Sequence, residues 1–139
     1  MFVDLFFLAD TRGVGWEGRL PSELGLCSRL RHLVIENAHF GDDIAAIIPT
    51  QLYGLSDVRT LRLVSSNITG TINPAIGTMT NLETLDLSGN LLFGRIPSEI
   101  GSLSRLTSLK LNLNSFDAPI PTELDLLTSL VQKEISDPP

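Results

Sequence analysis

Residues 82–106 read LETLDLSGNLLFGRIPSEIGSLSRL, and the spacing of their apolar residues is the most regular feature of the chain. Leu85 and Leu87 alternate with polar residues, as the inward side chains of a short strand do. The Gly-Arg-Ile-Pro segment at 94–97 cannot continue as a helix, because proline has no amide proton and biases the residue before it toward extended backbone. The stretch therefore predicts a strand, a turn and an extended return segment.

The same pattern recurs along the chain, and such recurrence is typical of repeat proteins. The unit opens at Val58, Leu82, Leu106 and Leu130, each 24 residues after the last, and two longer units of 27 and 28 residues precede these. All of these spacings fall in the range of about 20–29 residues that one repeat class uses. Residues 1–139 are therefore interpreted as one domain with units near 3–29, 30–57, 58–81, 82–105 and 106–129, and a partial unit at 130–139.

A unit of this length cannot bury its own leucines, so neighbouring units must stack. Stacking pairs the strands into a parallel sheet and merges the leucines into one core. The expected fold is an α/β solenoid of about five coils with a parallel sheet on its concave side. The strands are expected at Phe6–Leu8, Leu33–Ile35, Leu61–Leu63, Leu85–Leu87 and Leu109–Leu111.

The motif L-x-x-L-x-L-x-x-N-x-L-x-G-x-I-P-x-x-I-G-x-L, carried best by residues 82–106, resembles the plant-type leucine-rich repeat family. The resemblance runs from about Val3 to Leu130. It implies a receptor-kinase-ectodomain-like or secreted-inhibitor-like protein whose strand face recognises a protein or peptide, on the extracellular side of a membrane or outside the cell. The family's paired-cysteine cap does not match any residues here, and we expect a fragment or a short degenerate member.

The resemblance also implies an asparagine ladder, in which one asparagine of each coil hydrogen-bonds turn backbone between coils. The ladder position holds Asn90 and Asn114 in the two most regular units. In earlier units it holds Ser66, which can partly substitute, and Ala38, which cannot. Asn37 lies one residue away from the ladder position.

Composition narrows the range of partners. The chain carries a net charge of −6 with ten Lys and Arg. Nucleic-acid binders carry a basic face, so no nucleic-acid partner is expected, and an anionic membrane surface is disfavoured for the same reason. No run approaches the roughly 20 apolar residues of a membrane helix, so we expect no membrane contact by this segment.

One glycine motif invites a nucleotide-binding interpretation. Gly13-x-Gly15-x-x-Gly18 matches the dinucleotide fingerprint. That fingerprint works only where a helix N-terminus follows to hold the pyrophosphate. Here Leu20-Pro21 follows instead, as the extended segment of a repeat. We therefore predict no cofactor.

The remaining reactive residues form no recognisable site. His32 and His39 have no metal-ligand spacing. Cys27, the only cysteine, sits beside a leucine position and is interpreted as a small buried hydrophobe. Asp42 and Asp43 lie in an insertion and lack the oxygen ligands that a calcium loop needs. The prediction is a chain that has no metal site, has no catalytic residues and is not an enzyme.

The outward residues of the strands are the expected partner-binding face. Strands one repeat apart lie about 4.8 Å from each other, so Arg62, Asp86 and Lys110 would form a plus-minus-plus ladder. Such a ladder either neutralises itself or fixes the register of a docked partner. The predicted face comprises His32, Val34, Glu36, Arg62, Val64, Asp86, Ser88, Lys110 and Asn112.

Two further points bear on function. Asn67-Ile68-Thr69 is an N-glycosylation sequon, and about one such triplet is expected by chance in a chain of this composition. The function predicted is non-catalytic recognition of a protein or peptide. The alternative is an intracellular scaffold or structural protein built from the same repeat. The single cysteine is compatible with it, and the apolar N-terminal stretch lacks the basic residues of a signal peptide and is interrupted by Asp4.

Overall fold

Ten short strands alternate with single helical turns in the computed structural model, which describes residues 5–9, 20–38, 40 and 46–136. Nothing is described of the side chains at 5–9. In this part of the chain the strands are β1 (Leu5–Ala9), β2 (His32–Glu36), β3 (Ala46–Ile47), β4 (Thr60–Val64), β5 (Ile68–Gly70), β6 (Thr84–Asp86), β7 (Leu91–Gly94), β8 (Ser108–Lys110), β9 (Ser115–Phe116) and β10 (Gln132–Glu134).

The first sheet is parallel throughout and has the order β1-β2-β4-β6-β8-β10. Its register follows the repeat, because Leu33 pairs with Leu61, Leu61 with Leu85, and Leu85 with Leu109. All four leucines are fully buried. The predicted parallel sheet and its inward leucines are thus confirmed, and the fold is a leucine-rich repeat solenoid.

A second parallel sheet, in the order β3-β5-β7-β9, was not anticipated from the sequence. Its strands β5, β7 and β9 begin four or five residues after the ends of β4, β6 and β8. Ile68 pairs with Ala46 across it, and both side chains are buried. The extended segment that was expected before each Ile-Pro is therefore a second, shorter strand.

Each coil returns through a 3-10 helix of five residues, and proline or asparagine sets its start. The residue before the helix has extended backbone at Pro21, Pro49, Pro97 and Pro121. At the remaining coil, Asn73 caps the helix by accepting a hydrogen bond from the amide of Ala75 at 2.9 Å. The helices span Ser22–Leu26, Thr50–Gly54, Pro74–Thr78, Ser98–Ser102 and Thr122–Leu126.

The helical turns stack closely where glycine occupies one position of the unit. A Cβ on Gly101 would lie 2.5 Å from the backbone oxygen of Glu123, and one on Gly77 would lie 2.8 Å from that of Glu99. The equivalent residue of the second unit is Tyr53, whose buried hydroxyl accepts a hydrogen bond from the amide of Asn73 at 3.4 Å. In this unit a tyrosine side chain therefore fills the space between two coils, whereas glycine elsewhere lets the two coils pack directly against each other.

The asparagine ladder holds the turns together. Asn90 Oδ1 accepts hydrogen bonds from the amides of Ser66 and Ile68 at 3.0 and 3.1 Å, and its Nδ2 donates to Leu63 O at 2.6 Å. Asn114 repeats part of this one coil later, accepting from Leu92 N at 3.1 Å.

Ser66 substitutes for asparagine at the ladder position of the third unit, as expected. Its hydroxyl accepts a hydrogen bond from the amide of Ala38 at 3.2 Å and donates one to Val64 O at 2.8 Å. Its side chain is too short to span two amides. The serine thus completes the turn at Ala38, whose own side chain has no polar group to offer.

The residue before the ladder position adopts left-handed backbone in four successive coils. Asn37, Ser65, Gly89 and Leu113 have φ of 52°, 49°, 69° and 56°. Asparagine and glycine tolerate this conformation best. The asparagine found one residue from the ladder position at 37 is therefore a turn residue.

Several segments considered in the sequence lie outside the described residues. These are His39, the Asp42–Asp43 insertion, and the Gly13-x-Gly15-x-x-Gly18 motif. Within the described ranges the buried side chains form one continuous core that runs from Leu20 to Leu127.

Candidate recognition surface

The outward columns of the first sheet form the face that stacking of a repeat solenoid makes concave. In β2 and β4 buried and half-buried side chains alternate, with the half-buried ones facing outward. This alternation brings together the strand residues expected from the sequence, with Thr60, Thr84 and Ser108 completing one column. The outward residues are His32, Val34, Glu36, Thr60, Arg62, Val64, Thr84, Asp86, Ser108 and Lys110.

Arg62 is the centre of a charge network on this face. Its Nη2 lies 2.7 Å from Glu36 Oε1, and its Nε lies 3.6 Å from Asp86 Oδ2. Glu36 reaches Arg62 diagonally, because its direct register partner is Val64. The guanidinium is thus neutralised from both sides while 41% of the side chain stays exposed.

The expectation that Asp86 is exposed on this face is wrong, because its side chain points outward but is only 5% exposed. Its Oδ1 accepts hydrogen bonds from the Ser88 amide at 3.1 Å and the Ser88 hydroxyl at 2.6 Å. The carboxylate therefore has a structural role in the turn after β6. Strand alternation gives the face on which a side chain lies but not how deeply its neighbours cover it.

Lys110 belongs to a second charge network and does not extend the first. Its Nζ lies 3.1 Å from Glu134 Oε1, and no ion pair joins Lys110 to Asp86 in the described part of the chain. Gln132 Nε2 also donates to Glu134 Oε1 at 2.6 Å. These hydrogen bonds, the one from Lys110 first, lower the pKa of the Glu134 carboxyl below its usual value.

Arg62, Asp86 and Lys110 lie side by side in register, as predicted, but their ion pairs do not form a continuous ladder. Arg62 pairs with Asp86, whereas Lys110 pairs with Glu134, its register partner on the adjacent strand β10. Glu134 was missed because the final unit lacks most of the motif. Its position 24 residues after Lys110 was the available signal.

Uncharged polar groups line the start of the strands. His32 Nδ1 lies 3.1 Å from Thr60 Oγ1, and Ser108 Oγ donates to Gln132 Oε1 at 3.3 Å. Asn112, near the end of the same face, has a buried Oδ1 with no hydrogen-bond partner in the described ranges. The face thus has polar edges on either side of the charged column.

The described residues bring together no recognisable reactive groups. No three His, Cys, Asp or Glu side chains among them lie close enough to hold a metal ion. Cys27 is half-buried and packs against the core. None of the described helices has the length and apolar character needed to cross a membrane.

Two open grooves lie away from the concave face and were not anticipated. One of about 600 Å³ runs between the second sheet and the helical turns, and one of about 500 Å³ occupies the same place at earlier coils. Both are lined by the Ile-Pro segments and by exposed acidic residues, among them Pro97, Glu99, Pro121 and Glu123 in the first and Pro21, Glu23 and Pro49 in the second.

A model of the Leucine Rich Repeat family matches residues 81–103, the unit with the most regular spacing. No curated protein matches the chain at a significant level. Solved structures do match. The PEPR1-AtPEP1 crystal structure is 38% identical over 84% of this chain and 16% of that one, with a TM-score of 0.76.

Two further structures show the range of similar proteins. The Arabidopsis receptor kinase HAESA ectodomain, in complex with an N-terminally extended IDA peptide hormone, is 32% identical over 82% of this chain and 19% of that one, with a TM-score of 0.73. A plant ice-binding protein is 27% identical over 87% of this chain and 37% of that one, with a TM-score of 0.78. The chain thus spans well under half the length of each of these structures.

Proposed function

Because this chain is a stack of plant-type leucine-rich repeats, we propose that it is a non-catalytic recognition module that binds an extended peptide or a protein edge on its concave face. The observation that carries the proposal is the regular outward grid of β2, β4, β6 and β8. One similar structure contains a receptor kinase ectodomain with a peptide hormone, as HAESA with IDA. The ice-binding relative has the same fold, so the fold alone does not choose the partner.

The charges on the grid favour a partner with its own pattern of charges. Glu36, Arg62 and Asp86 form one network, and Lys110 and Glu134 form the other. Each basic group already has an acidic partner, so a ligand gains most where it exchanges one ion pair for another. We expect the charges to set orientation and association rate, and the uncharged positions Val34, Val64 and Asn112 to provide contact area.

The proposed location is the extracellular side of a membrane or the extracellular space, within a receptor-like or secreted protein. Support comes from the ectodomain of the HAESA receptor kinase, which is similar in fold and sequence. The competing proposal is an intracellular scaffold. If the concave face binds extracellular peptides selectively, the extracellular proposal is favoured over the intracellular scaffold.

The test is selection of a random-peptide display library against the chain. Selected peptides should bind the wild-type chain and lose most of their affinity for a Val64→Arg/Asn112→Arg variant. Both positions face outward and are half-buried, so the added side chains block the face. Val64 is the register partner of Glu36, so the arginine added there also competes with Arg62 for that carboxylate. Affinity and rate constants are measured by surface plasmon resonance at low and high salt, where a charge-guided association slows as salt rises.

Ser98→Arg is the matched control, because Ser98 is exposed on a helical turn on another side of the coil. Its binding should equal that of the wild-type chain. Some peptides could bind the Val64→Arg/Asn112→Arg variant with the same affinity as the wild-type chain but fail to bind the Ser98→Arg variant. That result would place the recognition site in the grooves beside the helical turns.

A further inference from the structure

The outer face of the second sheet carries an apolar surface that contrasts with the charged concave face. In β7 exposed and buried residues alternate, so Leu91 and Phe93 both point away from the core. Leu91 and Phe93 are 55% and 48% exposed, and Ile47 of β3 is 52% exposed. The neighbouring outward residues Thr69 and Ser115 are also uncharged. An exposed cluster of this kind indicates a surface that something covers.

The sequon residue Asn67 lies in the turn that leads into this surface. Thr69, the third residue of the sequon, pairs with Ile47 on one side and with Leu91 on the other. Adjacent strands lie about 4.8 Å apart, and Asn67 precedes Thr69 by two residues, in the turn immediately before β5. Ile68, between the two, is buried. Asn67 is exposed and Thr69 is half-buried, so neither side chain enters the core that buries Ile68.

The Asn67 amide is accessible and held in a defined turn. The residue is exposed, and no hydrogen bond or ion pair engages its side chain in the described part of the chain. Its φ of 55° is left-handed, which asparagine tolerates. The next amide, Ile68 N, is fixed by the 3.1 Å hydrogen bond to Asn90 Oδ1. The ladder thus fixes the backbone next to the Asn67 amide, two residues before the strand position that pairs with Ile47 and Leu91.

We propose that Asn67 is N-glycosylated and that the first sugars of its glycan lie over Ile47 and Leu91, with Phe93 at the far edge. This rests on the proposed extracellular location. In the transfer step the Asn67 amide nitrogen bonds to the anomeric carbon of the first N-acetylglucosamine and loses a proton. The bond from that carbon to the pyrophosphate of a lipid-linked oligosaccharide breaks, and the lipid pyrophosphate leaves.

A sugar fits this surface better than a charged partner does. A pyranose ring presents C–H groups on one face and hydroxyls at its rim, so it can cover apolar side chains and remain wetted. The five outward residues Ile47, Thr69, Leu91, Phe93 and Ser115 include no charge that would pair with a basic or acidic protein. A glycan is also bulky and solubilising. Attachment at Asn67 would therefore hide an otherwise association-prone surface.

The occupancy experiment expresses the chain behind a secretion leader in a eukaryotic host. Wild type and Thr69→Ser, which keeps the sequon, should carry a glycan that an endoglycosidase removes. Asn67→Gln and Thr69→Ala should lose that mass increment. The Arg105→Asn variant adds a second sequon ending at the exposed Thr107. Modification of that added site together with an unmodified Asn67 would overturn the proposal.

The coverage experiment compares glycosylated and Asn67→Gln protein by fluorescence of a hydrophobic dye and by sedimentation. Loss of the glycan should raise dye fluorescence and self-association. In an Ile47→Ser/Leu91→Ser background, loss of the glycan should change neither. Equal dye binding with and without the glycan in the wild-type background would show that the sugars do not cover the surface.

Failure of this proposal is distinguishable from failure of the recognition proposal. The peptide selection uses protein from a bacterial host, which carries no glycan. Binding on the concave face can therefore succeed while Asn67 stays unmodified, and Asn67 can be modified in a chain that binds no peptide.

Discussion

Single residues with unusual backbone mark the turns of this solenoid, and Leu113 is the one least suited to its position. Its φ is 56° and its side chain is 71% exposed, so it has backbone strain with little burial in return. Leu113→Gly should raise the free energy of unfolding by about 0.5–1 kcal/mol, because relief of the left-handed strain exceeds the entropy that glycine loses. Urea denaturation measures the change.

Gly89, at the same position one coil earlier, provides the control. Its φ is 69°, and an added Cβ would lie 2.7 Å from Ser65 Oγ. Gly89→Ala should therefore lower the free energy of unfolding by about 1 kcal/mol or more. Stabilisation by this change would mean that the turn does not require left-handed backbone.

Tyr53 is buried between the second and third coils, and the titration of its phenol reports on how well that space is shielded from water. Burial raises the pKa of its phenol above the usual value of about 10, and the backbone hydrogen bond from Asn73 opposes this only in part. The raised pKa means that the unfolded chain loses the proton first. The stabilisation is thus complete below about pH 10 and is lost as pH rises toward the folded pKa.

Tyr53 is the only tyrosine in the chain, so phenolate absorbance follows one group. Its titration midpoint should lie higher in native protein than in denatured protein, and the free energy of unfolding should fall as the pH rises above about 10. Coincident midpoints in the two states would show that the hydroxyl is solvated. Tyr53→Phe should remove that part of the pH dependence.

At the scale of elements, the asparagine ladder joins the two sheets of each coil. Asn90→Ala should lower the free energy of unfolding by about 3 kcal/mol, because it leaves the buried amides of Ser66 and Ile68 unpaired. Asn114→Ala should cost less, since Asn114 is half-buried and satisfies the single amide of Leu92. Thermal and urea unfolding measure both changes.

The control for the ladder is Asn81→Ala. Asn81 also donates from Nδ2 to a backbone oxygen of the preceding coil, that of Ser56 at 2.9 Å, but this bond is exposed. Its loss should cost under about 1 kcal/mol, because water replaces the partner. Equal losses for Asn81→Ala and Asn90→Ala would contradict a special role for the buried ladder.

The sequence predicted the first sheet well and the second sheet not at all. Leu85 and its partners recur at fixed spacing and point inward, so both face and register follow from the pattern. Around Leu91, exposed and buried residues are equally apolar, so alternation is invisible in the sequence. The pairing of Lys110 with Glu134 was missed for a different reason, since long flexible side chains choose among neighbours by geometry that spacing does not contain.

At the scale of the whole molecule, coil-to-coil packing depends on the glycines of the helical turns. Gly101→Ala should lower the free energy of unfolding by about 3 kcal/mol, because its Cβ would meet the backbone of Glu123 rather than a movable side chain. The coils on either side must then separate. Guanidinium denaturation measures the loss.

Gly54→Ala is the matched control, since Gly54 also lies in a helical turn but an added Cβ would meet nothing within 4 Å. It should be neutral or stabilise by about 0.5 kcal/mol through reduced freedom of the unfolded chain. Comparable destabilisation by both changes would indicate an effect of helical propensity and would remove the argument from coil spacing.

The ladder also sets the order in which the turns of the stack can be completed. Asn90 completes hydrogen bonds of the coil before its own, Asn114 does the same one coil later, and Ser66 does so for Ala38. A coil leaving the ribosome therefore keeps unpaired amides until its successor has been synthesised. For these described turns, completion therefore follows the order of synthesis, from the N-terminus onward.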